Sequence, residues 1–213
     1  VVSSEGGVGY SIPGIHAAHG MMTPVFGFSD PDMRTKGTKH YLGTYWPPDG
    51  PHIMVKQVPL KAYYYKFHYD PRYRLPLYQA AFHDCIVTTH HWSYSTLKFK
   101  ETVTTNELCE LLYNVPPLYH LNNDTYERYG ERMRKHCSVF TPLHERLALK
   151  TLKEFSWLTE NRLVQQVVYS DGTKLIANFG KKTYKLNTVT LAPLTFIALK
   201  STGEILCKHT PLQ

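Results

Sequence analysis

The sequence predicts a chain of α/β plus all-β class, in which the C-terminal portion of a (β/α)8 (TIM) barrel precedes a small antiparallel β-sandwich domain. Three observations support this: residues 1–122 read as strand, helix and strand, two helices follow, and the remainder is a series of short strands separated by glycine turns. We therefore assign residues 1–160 to the barrel and residues 161–213 to the β-domain. A whole barrel needs about 250 residues, so only its closing part is expected here.

The barrel portion opens with a strand that ends at a carboxylate. Residues 1–5 form a short apolar run that ends at Glu5 before two glycines, as a buried strand opening into a loop does. Residues 8–61 are irregular and rich in Gly and Pro, which is typical of a functional loop or lid. Residues 74–89 are almost continuously apolar and predict a strand buried on both faces.

Helical patterns follow this strand. Residues 105–112 predict a short amphipathic helix with its leucines turned inward. Two longer helices are expected at residues 125–140 and 142–158, and Asn123 or Asp124 can cap the first of them.

Short strands separated by glycine turns predict the β-domain. Strands are expected at residues 163–169, 174–179, 182–186 and 194–199. The dipeptide Asp171-Gly172 has the signature of a hairpin turn and should be exposed. The apolar residues expected to share one core are Val167, Ile176, Phe179, Leu191 and Phe196.

Composition excludes several classes of protein. Hydrophobic residues make up 42% and charged residues 19% of the 213 residues, close to an ordinary globular protein. The net charge of +7 comes from dispersed Lys and Arg, and the densest basic cluster, residues 128–135, also contains glutamate, as a solvated helix face does. We therefore expect no nucleic-acid partner. No window of 18 apolar residues exists, so no membrane span is expected.

The compartment and the extent of the chain follow from further features. The four Cys residues form no CxxC pair, which argues against a zinc knuckle but permits two disulfides. The sequon Asn123-Asp124-Thr125 would be usable only in a secretory compartment, so we expect an extracellular or lysosomal location. The chain starts at Val1 without Met. An incomplete barrel leaves open strand edges, so additional polypeptide is expected, either upstream sequence or a tightly bound chain.

Several motifs stand in a fixed order along the chain. They are Ser4-Glu5-Gly6-Gly7, Pro76-Leu77-Tyr78-Gln79 running into His83-Asp84-Cys85, Pro116-Pro117-Leu118-Tyr119, Val168-Tyr169-Ser170-Asp171-Gly172-Thr173 and Ile176-Ala177-Asn178-Phe179-Gly180. Together they resemble the glycoside hydrolase clan that includes the endo-α-N-acetylgalactosaminidases and their exo-acting relatives, over most of residues 1–200. The resemblance implies a retaining glycosidase barrel with an appended β-domain, and a nucleophile on an earlier strand outside this chain.

Glu5 is the candidate catalytic residue. It stands where a barrel strand ends, on the face that holds active sites in such barrels. Retaining glycosidases use one carboxyl to protonate the leaving oxygen and a second, about 5 Å away, as nucleophile. Apolar surroundings would raise the pKa of Glu5 and suit it to the acid role. The alternative is a solvated loop glutamate.

Asp84 is the second candidate carboxylate, and we expect it to bind sugar hydroxyls or to hold His83 in place. The alternative is a structural pair. Strand ends of the same polarity converge on one face of a barrel, so Glu5 and Asp84 are expected to open into the same cleft, with His90 or Trp92 at its wall.

Tyr45 and Trp46 in the long loop are further candidates for substrate binding, as a lid over the ligand, or are packing residues. Adjacent His90 and His91 point to opposite faces of a strand, so a shared metal ion is not expected. The sequence contains no P-loop, GxSxG or dinucleotide-binding signature, and we expect no cofactor.

The first reading is therefore a component of a glycoside hydrolase that cleaves O-glycosidic bonds of a carbohydrate substrate, with retention through a carboxylate pair. The alternative is a non-catalytic carbohydrate-binding or structural subunit that keeps the glycosidase fold. A third reading is a basic module for nucleic acid or anionic glycan, which a steep salt dependence of binding would reveal.

Overall fold

A computed structural model describes most of the chain outside the long loop that follows the first two strands. The described residues are 1–22, 57, 60, 62, 65–91, 94–186 and 189–212. They form a small parallel sheet, a larger antiparallel sheet with a hairpin beside it, and helices that pack on the antiparallel sheet. The fold is therefore mixed α/β.

The parallel sheet consists of β1 (Ser3–Glu5), β2 (Ala17–His19) and β3 (Val87–Thr88), in the order β1-β2-β3. In the register of β1 and β2, Glu5 pairs with His19. Because all three strands run in the same direction, their C-terminal ends meet at one edge of the sheet.

The described residues contain three α-helices: α1 (Leu77–Phe82), which lies between β2 and β3 in sequence, and α2 (Val103–Tyr113) and α3 (Asn123–Leu147), which lie between the two sheets. Single helical turns also occur at Gly9–Gly14, Tyr65–Tyr69, Pro71–Tyr73 and Lys100–Thr102. The helix predicted at residues 105–112 is confirmed by α2. The cap of α3 is Asn122, whose Oδ1 accepts a hydrogen bond from the Thr125 amide at 2.7 Å, one residue before the predicted caps.

The strand predicted over residues 74–89 is wrong. Its first half forms α1, and only β3 remains extended. A continuous apolar run is compatible with a buried strand and with a buried helix, so its periodicity does not separate the two. The error matters for the site because it moves every residue between α1 and β3 away from a strand end.

The break predicted at Pro142 is also wrong, because α3 continues through this residue. Pro142 lies on the exposed side of the helix, whereas Phe140, Leu143 and Leu147 are buried on the opposite side. The lost backbone bond therefore faces solvent, and burial of the apolar stripe keeps the helix continuous.

The antiparallel sheet has five strands in the order β10-β9-β6-β5-β4. A separate two-stranded hairpin joins β7 and β8. In chain order these strands are β4 (Leu152–Trp157), β5 (Val164–Tyr169), β6 (Lys174–Asn178), β7 (Tyr184–Leu186), β8 (Val189–Leu191), β9 (Thr195–Leu199) and β10 (Ile205–His209). The four predicted strands are confirmed. Three were missed: β8, β10, and β4, which lies before residue 161 in a segment predicted to be helical.

The antiparallel sheet buries both of its faces, so the prediction of one shared core is wrong. Val167, Phe179 and Phe196 pack with α2 and α3 on one face. Ile176 and Leu191 pack with the β7–β8 hairpin on the other face. Successive residues of a strand point to opposite faces, and this alternation assigns the residues to two cores.

The predicted turn at Asp171-Gly172 is confirmed, and Gly172 adopts a φ of 80°, but both residues are half-buried and not exposed as predicted. The Asp171 side chain is held by Arg146 of α3, whose Nη2 lies 3.0 Å from Asp171 Oδ2. The four cysteines are unpaired thiols. Among the described residues, no helix has the length and apolarity that a membrane-spanning segment needs.

Candidate functional site

Glu5 lies at the C-terminal edge of the parallel sheet, where its Oε1 is 2.9 Å from Nε2 of His91. The Glu5 side chain is 67% exposed and that of His91 is 8% exposed. The Gly6 amide donates to the carbonyl of His19 at 3.0 Å, which fixes the backbone just beyond Glu5. A buried imidazole therefore contacts a carboxylate that faces solvent.

The segment that carries His91 is fixed to the end of β2. The Gly20 amide donates to the Thr89 carbonyl at 3.0 Å, and Nδ1 of His19 lies 3.0 Å from Thr89 Oγ1. Beyond the segment, the Tyr94 amide donates to the His91 carbonyl at 2.8 Å. Gly20 has a φ of 88°, a left-handed conformation that glycine adopts without a steric penalty.

Two of the sequence motifs meet below this edge. A side chain added to Gly7 would overlap the hydroxyl of Tyr78 in α1, so the second glycine after Glu5 is required by close packing. Gln79, the next residue of α1, is buried and its Nε2 lies 3.4 Å from Oγ1 of Thr88 in β3. Helix α1 thus supports β3 from the side.

His90 points away from Glu5 into a buried polar cluster. Its Nε2 lies 2.5 Å from Glu110 Oε1, and the same oxygen accepts a hydrogen bond from Thr96 Oγ1 at 2.6 Å. His90 and Glu110 are both fully buried. Burial lowers the pKa of His90 to about 3 and raises the pKa of Glu110 to about 8. Both shifts favour the neutral forms, which is the expected response to a low dielectric.

Glu107, one turn earlier on α2, anchors a second buried cluster. Its Oε1 accepts from Arg132 Nη1 at 2.7 Å, and its Oε2 lies 3.2 Å from His209 Nε2. Burial alone would raise the pKa of Glu107, but the hydrogen bond from His209, the nearby His136 and the bond from Arg132 hold the pKa below its usual value. Glu107 is therefore a buried carboxylate with ionic partners.

The prediction that Asp84 and Glu5 share a cleft is wrong. Asp84 lies between α1 and β3 and so precedes Val87, at the N-terminal end of the strand, whereas Glu5 lies at the C-terminal edge of the sheet. Asp84 Oδ2 accepts from Thr151 Oγ1 at 2.7 Å, and this bond lowers the pKa of Asp84. In this chain it ties α1 to the start of β4.

His83 is also at this opposite end. Its Nδ1 lies 3.0 Å from the carbonyl oxygen of Lys150, and its ring meets that of Tyr169 edge-on at 5.0 Å. Burial lowers the pKa of His83. His83 and Asp84 line a cavity of about 140 Å³ that is separate from Glu5.

The remaining predicted site residues divide into two groups. Tyr45, Trp46 and Trp92 lie outside the described residues. The described part of the chain contains no group of three metal-ligating side chains placed to hold an ion. His90 is in contact with Glu110 rather than with Glu5, and His91 is the residue that the sequence analysis missed. The alternation of adjacent histidines was available as a signal, but it did not say which of the two faces the sheet edge.

Comparison with known families gives one match. The family described as glycosyl hydrolases related to the GH101 family, GH129, matches residues 1–168. No curated protein matches the chain.

Solved structures similar to the chain include α-N-acetylgalactosaminidase NagBb from Bifidobacterium bifidum. The ligand-free form is 20% identical with a TM-score of 0.44, over 87% of this chain and 23% of that one. The GalNAc complex is 21% identical with a TM-score of 0.46, over 89% of this chain and 24% of that one. The chain thus spans less than a quarter of the length of that enzyme.

Proposed function

Since the chain belongs to the GH129 glycosyl hydrolases, which are related to family GH101, we propose that it is a component of a glycoside hydrolase that cleaves O-glycosidic bonds with retention of configuration. We propose further that the parallel sheet is the closing part of a (β/α)8 barrel. Additional polypeptide would complete this barrel and supply the nucleophile. The antiparallel sheet and its hairpin would be the appended β-domain.

Glu5 is the proposed general acid/base. The observation that carries this role is its place at the edge where the C-terminal ends of three parallel strands meet, which is where barrel enzymes hold their active sites. Its contact with His91 restrains an otherwise exposed carboxylate, as a proton donor in a defined position requires. Asp84 lies at the opposite end of the parallel sheet from Glu5, so it is not placed to be the second carboxyl.

The test is the variant Glu5→Gln in the complete enzyme, assayed on aryl glycosides that include α-N-acetylgalactosaminides with good and poor leaving groups. Removing a general acid should slow turnover by roughly 10²-fold or more with poor leaving groups. The loss should be much smaller with activated leaving groups, because they need little protonation. Nuclear magnetic resonance of the first-formed sugar should show the anomeric configuration of the substrate.

Glu127→Gln is the matched control, because Glu127 is an exposed glutamate on α3 far along the sequence from the site. It should leave both rates unchanged. Equal losses on both substrate types in Glu5→Gln would refute the acid/base role. Sugar binding without any turnover by the unaltered protein would instead favour a non-catalytic carbohydrate-binding subunit.

A further inference from the structure

We infer that Glu110 is a positioning residue for the Glu5 site, acting through His90 on the segment from which His91 contacts Glu5. This inference rests on the proposed function, because it assigns Glu110 a part in holding the proposed acid/base. Glu110 itself lies in the core and does not reach the sheet edge.

The first step of the argument is the alternation of the two histidines. His91 reaches outward to Glu5 at 2.9 Å, while His90 reaches inward to Glu110 at 2.5 Å. The two side chains leave neighbouring Cα atoms towards different partners, so a shift of the backbone at one of them displaces the other. By holding His90, Glu110 therefore fixes the backbone segment from which His91 contacts Glu5.

The second step is the rigidity of the contact between His90 and Glu110. Glu110 Oε1 is held by the Thr96 hydroxyl at 2.6 Å, and Glu110, His90 and Thr96 are all fully buried. Buried polar groups cannot exchange a lost partner for water, so removing this bond forces the histidine segment to rearrange. The contact between His91 and Glu5 is less constrained, because the Glu5 side chain is 67% exposed.

The third step separates positioning from ordinary core stability. Glu107 lies one turn earlier on the same helix and is as deeply buried as Glu110, but its hydrogen bonds are with Arg132 and His209 instead of His90. His136 lies near both glutamates, with its Nδ1 3.6 Å from Glu110 Oε2, but the hydrogen bond to His90 belongs to Glu110. Losing either glutamate should weaken the fold. Only the loss of Glu110 should disturb His91 and Glu5.

The experiment compares Glu110→Gln with Glu107→Gln in the complete enzyme, on an aryl glycoside with a poor leaving group. A displacement of about 1 Å at a reacting group can cost on the order of 10²-fold, so we expect kcat to fall by about 10- to 100-fold in Glu110→Gln. KM should stay within about twofold, since the substrate-binding surface is not altered. In Glu107→Gln, kcat should change by less than about threefold even where urea unfolding shows a larger loss of stability.

A double-mutant cycle with His91→Gln tests the route. If Glu110 acts through His91, the double variant should be no slower than His91→Gln alone, because that variant has already lost the His91 contact with Glu5. If the kcat losses of the two single variants multiply in the double variant, the inference is overturned. If Glu110→Gln does not fold, Thr96→Val removes the hydroxyl that donates to Glu110 Oε1 and should give a smaller fall in kcat with the same non-additivity.

A readout independent of catalysis keeps this inference distinct from the proposed function. The ¹⁵N resonances of the His91 ring should shift in Glu110→Gln and stay in place in Glu107→Gln. Unshifted resonances in Glu110→Gln would overturn the positioning role. If the resonances shift in Glu110→Gln but the unaltered protein turns over no glycoside, the positioning role is supported and only the proposed function fails.

Discussion

Asn178, the last residue of β6, ties the loop that follows it to β8 by side-chain hydrogen bonds. Its Nδ2 donates to the carbonyls of Lys182 at 2.8 Å and Ala192 at 3.0 Å, and its Oδ1 accepts from the Gly180 amide at 2.9 Å. Asn178 is only 1% exposed, so water cannot replace these partners. A longer bond of 3.4 Å from Nδ2 reaches the carbonyl of Leu191 in β8. The change that removes the three shorter bonds and this one and leaves the strand intact is Asn178→Ala.

The expected cost follows from these contacts. A hydrogen bond contributes about 1 kcal/mol net, and a buried group left unpaired costs about 1–3 kcal/mol. Three good bonds therefore predict a loss of about 3 kcal/mol in the free energy of unfolding. Equilibrium urea denaturation measures this loss, and faster hydrogen exchange at the Gly180 amide locates it.

Asn161→Ala is the matched control. Asn161 also bonds its neighbours through Oδ1, accepting from Thr159 at 2.8 Å and from the Leu163 amide at 3.1 Å, but these bonds are exposed. Water can replace them, so the loss should be about 1 kcal/mol or less. If the two variants differ by less than about 0.5 kcal/mol, the argument from burial fails.

Two further predictions concern the β-turn and the buried ion pair. Gly172→Ala should destabilise the protein by about 1–3 kcal/mol, because φ is 80° and a Cβ would lie 2.7 Å from that of Ser201. Gly203→Ala has a similar φ with open space around it and should cost less, as thermal unfolding of both variants would show. The lowered pKa of Glu107 stabilises the fold above its ordinary pKa of 4.5, and this contribution is lost as the pH falls through the folded value. Arg132→Met removes one cause of that shift, so its melting temperature should be lower at pH 7 and fall less steeply below about pH 4.5; parallel curves for the two proteins would contradict this.

The elements that could be predicted from the sequence are those with strong local signals. The turn at Asp171-Gly172 and the strands on either side of it combine short apolar runs with a residue that tolerates positive φ, and the structure has them where expected. Helix α2 was found because its leucines repeat at helical spacing. In these segments local preference and tertiary packing agree.

The errors lie where tertiary packing decides between two local options. Residues 77–82 and 152–157 are each short and rich in apolar or aromatic side chains, which suits either a helix or a strand. Segment 152–157 extends because it pairs with β5, a partner that no local pattern reveals. Pro142 is a helix breaker by propensity, but the buried residues around it outweigh the lost bond.

The sequence predicts the position of Glu5 in the site but not that of Asp84 or His91. Glu5 stands at a strand end because the apolar run before it and the glycines after it fix that boundary. Asp84 lies elsewhere than predicted because only Val87–Thr88 of the predicted strand is extended, which puts this aspartate before β3 instead of near its end. The contact between Glu5 and His91 joins residues 86 positions apart, and no rule based on sequence spacing predicts a contact over such a separation.

The pairing of Glu107 also sets an order on folding. Arg132, supplied by the next helix, can neutralise one carboxylate oxygen early, but His209 lies 102 residues further along the chain, on the last strand. A carboxylate that enters the core with incomplete partners costs several kcal/mol, so full burial of α2 is unfavourable until β10 has docked. Contacts this far apart in sequence are slow to form because a long loop must close first. We therefore expect the burial of α2 and the docking of β10 to be coupled during folding.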